Sequence, residues 1–320
     1  MKPRSPFELP AEHEREMQHA TRLEWYTLGF MLTIVGVMSL TMGSSQAMKA
    51  AWVEDMLGLV PPIAFLIASR WRAHPPNERF PYGYHRALSI SFLVAAVSLT
   101  GFGVFILVDS LSGLIRAEHP AIGTTVILGQ SVWSGWLMIA ALVYSGLPPM
   151  VLGRMKLKVA RALHDKTLKA DADMNKADWL TAGAGIFGIV GIGAGFWWAD
   201  AAAAGIISLD IVKDGVQNLK RVVADLMDQR PTTIEGEVSD VPEKVRDALQ
   251  ALPWVRWARV RLREEGHVFA GEAFIEATPE LATLSSAKSL ACLFEEAGRV
   301  ARAADWRVYD VVVTLARAEE

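Results

Sequence analysis

Six apolar runs, each close to the length of a membrane-spanning helix, constrain the fold of this chain more than any other feature. A helix needs about 20 mostly apolar residues to cross the hydrocarbon core of a bilayer. The runs lie near residues 25–45, 48–69, 87–115, 124–152, 172–198 and 200–216. Charged residues make up 21% of the chain and are concentrated in 1–22 and 216–320. The sequence therefore predicts an α-helical membrane protein with six transmembrane helices, flanked by segments in water.

Lysine and arginine are distributed unequally between the two sides of these predicted spans. One side carries Arg70, Arg72, Arg79, Arg86, Arg154, Lys156, Lys158, Arg161, Lys166 and Lys169, and the other carries Lys49 and Arg116. Because loops rich in basic residues stay in the cytoplasm, both termini are predicted to be cytoplasmic, in a bacterial inner or plasma membrane. Residues 1–22 lack the apolar segment of a secretory signal and are interpreted as a partly disordered cytoplasmic leader.

Residues 231–320 have the pattern of a small α/β domain that follows a transmembrane domain at 23–230. Helices are predicted over 241–252 and 281–301, and strands over 254–263, 267–277 and 306–316. The first two strands flank a Glu265-Gly266 turn, as expected of a hairpin. The order αββαβ predicts a two-layer domain of ferredoxin-like type that is cytoplasmic and dimerises.

Two of the predicted spans contain clusters of acidic residues. The second span contains Glu54 and Asp55, and the fifth contains Asp171, Asp173 and Asp178. Ionisable side chains inside a membrane are costly and usually mark a functional site. The two spans enter from opposite sides, and the helical rise places both clusters near the middle of the bilayer. Converging carboxylates of this kind predict a buried cation site.

Helical phase ranks the acids of the fifth span. One face carries Asp171, Met174, Asn175 and Asp178. Asp173 points to nearly the opposite face, where Lys176 can pair with it at i,i+3. The predicted metal ligands are Glu54, Asp55, Asp171 and Asp178, with Met174 and Asp173 as weaker candidates. A structural or protonated role for the buried acids is the alternative.

Other classes of function have less support in the sequence. The chain has no nucleophile–histidine pairing, glycine-rich phosphate loop or HExxH-type motif, so an enzyme is not predicted, and neither is a bound cofactor. Its single cysteine, Cys292, excludes an intrachain disulfide and a cluster of thiolate ligands. A net charge of −3, without a basic patch, gives no indication of a nucleic-acid partner.

Three segments carry a resemblance to a known family. They are NERFPYGYHRA at 77–87, KADADMNKADWLTAGAGIFGIV at 169–190 and WADAAAAGIISLDIVKDGVQNLKRVVADLMD at 198–228. Together with the order of spans and the αββαβ tail, these segments resemble the cation diffusion facilitator family over about 25–316. The resemblance implies a homodimeric exporter that exchanges a divalent metal cation for protons by alternating access.

The transport site departs from the family pattern, which places two ligands four residues apart in span two and again in span five. In span five, Asp178 matches the final ligand, but Met174 stands where His or Asp is expected. In span two, Glu54 matches the first position and Gly58 the second. Asp55 and Asp171 are the obvious substitutes, which indicates a divergent branch with an altered site.

The predicted ligands also bear on the choice of ion. Carboxylates without His or Cys favour Mn²⁺, Mg²⁺ or Fe²⁺ over Zn²⁺. An entering cation would expel the protons held by a buried empty site, which gives antiport with protons as counter-ion. Two alternatives stay open: a non-transporting, regulatory or scaffold member of the family, and a carrier of a different, monovalent cation.

Overall fold

A computed structural model describes residues 9–41, 52, 55–117, 123–127, 130–279 and 287–316. Within these ranges the part before residue 230 is built from helices and one short hairpin. The helices are α1 (Ala11–Thr41), α2 (Val60–Arg72), α3 (Arg86–Ile115), α4 (Ser134–Leu163), α5 (Lys166–Gly193) and α6 (Ala199–Leu226). The hairpin pairs β1 (Thr124–Ile127) with β2 (Gln130–Trp133) in antiparallel register.

Two of the described helices, α3 and α4, are long and apolar enough to cross a membrane on length and composition alone. The arrangement of six spans stays a prediction. The predicted start of the fourth span is wrong, because residues 124–127 and 130–133 form the β1–β2 hairpin and α4 begins only at Ser134. The β-branched residues of that segment favour a strand over a helix.

Several helices continue beyond the apolar runs that predicted them. Helix α1 begins at Ala11, so residues 11–22 of the predicted leader are helical, and Met17 and Ala20 are buried. Helix α4 continues to Leu163, and only His164 and Asp165 separate it from α5. His164 has a φ of +56°, and the Asp165 carboxylate accepts a hydrogen bond from the Leu168 N–H at 3.0 Å. A left-handed C-cap followed by an aspartate N-cap explains this abrupt reversal.

Helices α3 and α6 pack closely because small residues lie at their contact. A Cβ atom added to Gly215 would lie 2.7 Å from Thr100 Oγ1 and 2.8 Å from Thr100 Cα. A Cβ added to Gly103 would lie 2.9 Å from the Val212 backbone nitrogen. These distances are shorter than van der Waals contact, so the two helices can pack at this distance only around glycine.

We expect Gly215→Ala to destabilise the protein by about 1–3 kcal/mol, because the added methyl group must push α3 away from α6. The effect is measured as a lower midpoint of thermal unfolding. Gly205→Ala, on the same helix, is the matched control, because its Cβ would lie 3.6 Å from Ser110 Cβ, an ordinary contact. Equal midpoints for the two variants would contradict the close approach.

The tail forms a separate sheet-and-helix unit with its own apolar core. Its elements are α7 (Val241–Gln250), β3 (Val255–Glu265), β4 (Val268–Ala277), α8 (Ala287–Ala303) and β5 (Val308–Leu315). The sheet order is β3-β4-β5, with β3 and β4 antiparallel and β4 and β5 parallel. Gly266 has a φ of +72° in the β3–β4 turn, where glycine is favoured. The element order αββαβ is therefore observed among the described residues, while the ferredoxin-like classification stays a prediction.

Candidate functional site

The predicted ligands of the second span lie at the edge of what the structure describes. Glu54 lies outside the described residues. Asp55 is half-buried in a short helical turn at 55–57, just before α2. Pro61 and Pro62 occupy the first turn of α2, where proline begins a helix, so they do not kink the interior of one. The role of Glu54 and Asp55 as ligands stays a prediction.

Asp171 lies in a fully buried cluster of charges that joins three helices. The Lys156 ammonium on α4 donates to Glu24 Oε2 on α1 at 2.9 Å and to Asp171 Oδ2 on α5. The side chains of Lys156 and Glu24 are 0% exposed and that of Asp171 is 2% exposed. From sequence, Lys156 is predicted only as one of the basic residues of the cytoplasmic side, whereas the structure makes it the buried partner of Asp171. We refer to Glu24, Lys156 and Asp171 as the buried triad.

The remaining predicted residues on this face of α5 are Met174 and Asp178. Asp178 is half-buried, one residue beyond Ala177, which is buried in an apolar cluster with Leu99 and Phe102 of α3. Met174 is 1% exposed and belongs to the same cluster, so its thioether lines an apolar contact between helices.

The expected pairing of Asp173 with Lys176 is wrong. Asp173 accepts from Lys169 at 2.7 Å, one helical turn earlier, and from the Asn218 amide of α6 at 3.3 Å. Lys176 instead bonds to both Asp210 and Asp214 of α6, at 3.3 Å each. The two carboxylates of α6 attract Lys176 away from Asp173. Asp173 pairs instead with Lys169, which lies at i,i+4 on the same helix.

A second buried cluster attaches the tail to the first residue of α5. The Lys166 ammonium donates to Asp225 of α6, to Thr232 and to Glu264 of β3, each at 2.8 Å. The three charged side chains are 4–6% exposed. Nearby, Gly266 donates its N–H to Ser89 Oγ at 3.1 Å. Because α5 carries Asp171 and Asp178, this cluster fixes the tail directly to the helix of the predicted site.

In the cluster of Lys166, Asp225 and Glu264, the surroundings favour the protonated form of the Glu264 carboxyl group. Burial raises the pKa of Glu264 to about 7, and the neighbouring Asp225 carboxylate adds to that effect while Lys166 opposes it. Nearby, burial and the Arg307 charge lower the pKa of His164 to about 4. The two shifts have opposite consequences: Glu264 favours the folded protein at low pH, whereas His164 favours it at higher pH.

We expect wild-type stability relative to Glu264→Gln to fall as the pH rises from about 4.5 to about 7, and to be constant above that. The slope is at most about 1.4 kcal/mol per pH unit, the value for one proton. His164 contributes equally to both proteins, so the difference between their thermal unfolding midpoints isolates Glu264. A difference that does not change across this pH range would contradict the assignment.

Sequence reasoning counted Lys156 and Lys166 only as markers of the cytoplasmic side. For each lysine, the sequence contained a feature that indicates a nearby acidic partner. Lys156 shares a helical face with Val159, Ala160 and Leu163, all of which are buried, so its charge had to be compensated inside the protein. Lys166 begins a helix, where the macrodipole disfavours a cation unless acidic groups lie close by. Their partners could not be found from local pattern.

Among the residues that the structure describes, no group of three or more His, Cys, Asp or Glu side chains is arranged to hold a metal ion. Glu54 is outside this set, so the predicted combination of Glu54, Asp55 and Asp178 is not tested by that finding. Carboxylates and amide oxygens are nonetheless the oxygen ligands that hard divalent cations take.

The comparisons with known proteins agree with the segments that suggested a resemblance. Residues 26–227 match the family model described as "Cation efflux transmembrane domain". The chain is 25% identical to the manganese efflux system protein MneP of Bacillus subtilis, over 70% of this chain and 72% of that protein. It is 25% identical to the manganese efflux system protein MneS of the same organism, over 53% of this chain and 54% of that protein.

A more distant relative is the cation-efflux pump FieF of Serratia proteamaculans, which is 21% identical over 75% of this chain and 74% of that protein. The chain therefore spans about half of one of these relatives and about three quarters of the others.

Proposed function

This chain belongs to the cation efflux family, and we propose that it exports a divalent metal cation across a membrane in exchange for protons. Members of the family are membrane proteins that transport cations. The finer proposal is a homodimer with six spans, cytoplasmic termini and a ferredoxin-like tail, working by alternating access. The excess of basic residues on one side supports the orientation.

One observation carries the proposal: helix α5, inside the matched region, bears Asp171 and Asp178 seven residues apart, with no helix break between them. Seven residues are two helical turns, or about 10 Å along the axis. Carboxylates at two depths of one membrane helix are typical of the pathway of a cation through a protein. We propose Glu54, Asp55 and Asp178 as the exchange site, with Asp171 closer to the cytoplasmic end of α5.

The proposed ion is Mn²⁺ or another hard divalent cation. The proposed ligands are carboxylates, which suit Mn²⁺, Mg²⁺ and Fe²⁺ better than Zn²⁺. Two of the relatives are named for manganese efflux, which supports the same choice. The nearly complete burial of Met174 in an apolar cluster leaves oxygen atoms, those of the aspartates and of the Asn175 amide, as the ligands on this face of α5.

Calorimetric titration of the purified protein with Mn²⁺, Mg²⁺, Fe²⁺, Zn²⁺ and Na⁺ tests the site and its selectivity. We expect a large heat of binding with Mn²⁺ for the wild type and a much smaller one for Asp178→Asn. Repeating the Mn²⁺ titration in buffers of different ionisation enthalpy counts the protons that are released. Binding of Na⁺ in place of divalent ions would favour a monovalent carrier, and equal heats for both proteins would exclude Asp178 as a ligand.

A non-transporting member of the family is the second candidate. The substitution of a family ligand by Met174, whose side chain is buried in an apolar cluster, is the observation that favours it. Such a protein would assemble with a partner and show no flux alone in liposomes. The purified chain reconstituted without other proteins therefore distinguishes the two functions.

A further inference from the structure

The buried triad has the composition of a cation site in which an ammonium takes the place of the ion. Lys156 lies between the carboxylates of Glu24 and Asp171, which reach it from α1 and α5. With both acids ionised the triad has a net charge of −1, since two carboxylates face one ammonium. Glu24 Oε1 is buried and has no hydrogen-bond partner. A buried carboxylate oxygen without a partner is costly, so the site has unused capacity for a positive ligand.

Along α5, the buried triad lies between the α4–α5 turn and Asp178. An apolar cluster of Met17, Leu23, Phe65, Leu88 and Leu163 packs beside it, toward the α4–α5 turn. Asp178 lies on the other side, two turns farther along α5. If the α4–α5 turn is cytoplasmic, as the basic residues predict, a cation from the cytosol reaches the triad before it reaches Asp178.

We propose that Glu24 and Asp171 form a divalent cation site on the cytoplasmic side of Asp178, and that the Lys156 ammonium occupies this site when no ion is bound. The inference rests on the proposed function for its role in transport, but not for the binding itself. An arriving divalent ion displaces the ammonium from both carboxylates. The ion and the two carboxylates together are neutral, and the displaced ammonium then carries its charge away from the site or gives up its proton.

The Glu24 and Asp171 carboxylates are suitable ligands for a hard divalent cation. Two carboxylates with waters completing the shell are a common way to hold a hard divalent cation, which retains part of its hydration. The main-chain carbonyl of Asp171 already accepts from the Asn175 amide at 2.8 Å, so the backbone at this position is fixed by a second bond. The lysine side chain is flexible and can withdraw along α4, whereas the carboxylates are held by two packed helices.

The first test measures binding to the triad alone, in an Asp178→Asn background that removes the proposed exchange site. In this background we compare Lys156→Met, Lys156→Arg, and Lys156→Met combined with Asp171→Asn. We expect Mn²⁺ to raise the thermal unfolding midpoint of the Lys156→Met protein by about 2–4 °C or more. The Lys156→Arg protein, which keeps a cation in place, and the protein without Asp171 should respond much less.

Equal responses of these proteins to Mn²⁺ would overturn the proposal. Because Asp178 is absent from all of them, this result does not depend on whether the exchange site binds metal. Conversely, absence of flux through the wild type would contradict the proposed function while leaving the binding result intact.

A second variant keeps the proposal falsifiable if loss of Lys156 prevents folding. Glu24→Gln leaves Lys156 and Asp171 as a neutral pair. It also replaces the carboxylate that contains the partnerless Oε1 atom by an uncharged amide. We expect the KM for cytoplasmic-side Mn²⁺ in proteoliposomes to rise about tenfold, the equivalent of one lost ionic contact, with a smaller effect on the maximal rate. Glu12→Gln, an exposed residue of the same helix, is the matched control. An unchanged KM for Glu24→Gln, or an equal effect in the control, would overturn the proposal.

Discussion

Asp178→Asn is expected to reduce Mn²⁺-dependent proton movement in proteoliposomes at least about 100-fold, because even outer-shell partners of a metal ligand cost 10–100-fold when lost. The amide retains the size of the carboxylate but removes the charge that attracts the cation. Glu54→Gln should have a comparable effect if that residue completes the site. The measurement is the change in a pH-sensitive dye trapped in the liposomes after Mn²⁺ is added outside.

The control for this experiment is Asp173→Asn on the same helix. Asp173 bonds to Lys169 and Asn218, so the substitution removes an ion pair. It leaves intact the proposed exchange site, which consists of Glu54, Asp55 and Asp178. We expect its flux to stay within about threefold of the wild type, since the partly buried i,i+4 pair with Lys169 contributes about 0.5 kcal/mol on one helix. Equal loss of flux in the two variants would mean that any acid of α5 is needed for folding, and the assignment of Asp178 would fail.

Lys166→Met is expected to destabilise the protein by about 3–5 kcal/mol at about pH 8, where Glu264 is ionised, because the substitution leaves buried carboxylates without a cation. Asp225 and Glu264 would face each other across the junction between α6 and β3. The tail should then separate from the helices before either unit unfolds. Limited proteolysis of the chain around residues 228–240, together with thermal unfolding, measures this separation.

Lys244→Met is the matched control for the junction. Lys244 pairs with Asp240 at 2.9 Å in an exposed i,i+4 pair, which contributes about 0.5 kcal/mol or less. Lowering the pH to about 5, where Glu264 is protonated, should recover part of the stability that Lys166→Met loses. A Lys166→Met protein that resists proteolysis as well as the control does would contradict the role of this cluster.

The tail was predictable from sequence because its patterns are local. Strand β4 (Val268–Ala277) lies within one residue of the predicted 267–277, because the Glu265-Gly266 turn marks its start in the sequence. Helix α7 (Val241–Gln250) was found from its amphipathic face in the same way. The C-terminal end of α4 was harder to predict. Its basic residues lie beyond the apolar run, and on hydropathy alone such a segment resembles a loop.

The buried clusters were not predictable, because their partners are distant in the chain. Lys156 and Glu24 are 132 residues apart, and Lys166 and Glu264 are 98 apart. Periodicity shows that a charge lies on a buried face, but only the packing of α1, α4 and α5 shows which acid compensates it. For the same reason, sequence reasoning paired Lys176 with Asp173, its neighbour in the chain, and missed the two acids that α6 supplies.

Uptake of Mn²⁺ by liposomes that contain only the purified wild-type chain is the decisive test of proton-coupled cation export by this protein. We expect Mn²⁺ entry that is coupled to proton exit, saturates with Mn²⁺ concentration and disappears with Asp178→Asn. Wild-type liposomes that accumulate no more divalent cation than protein-free liposomes, with the protein folded and inserted, would contradict it.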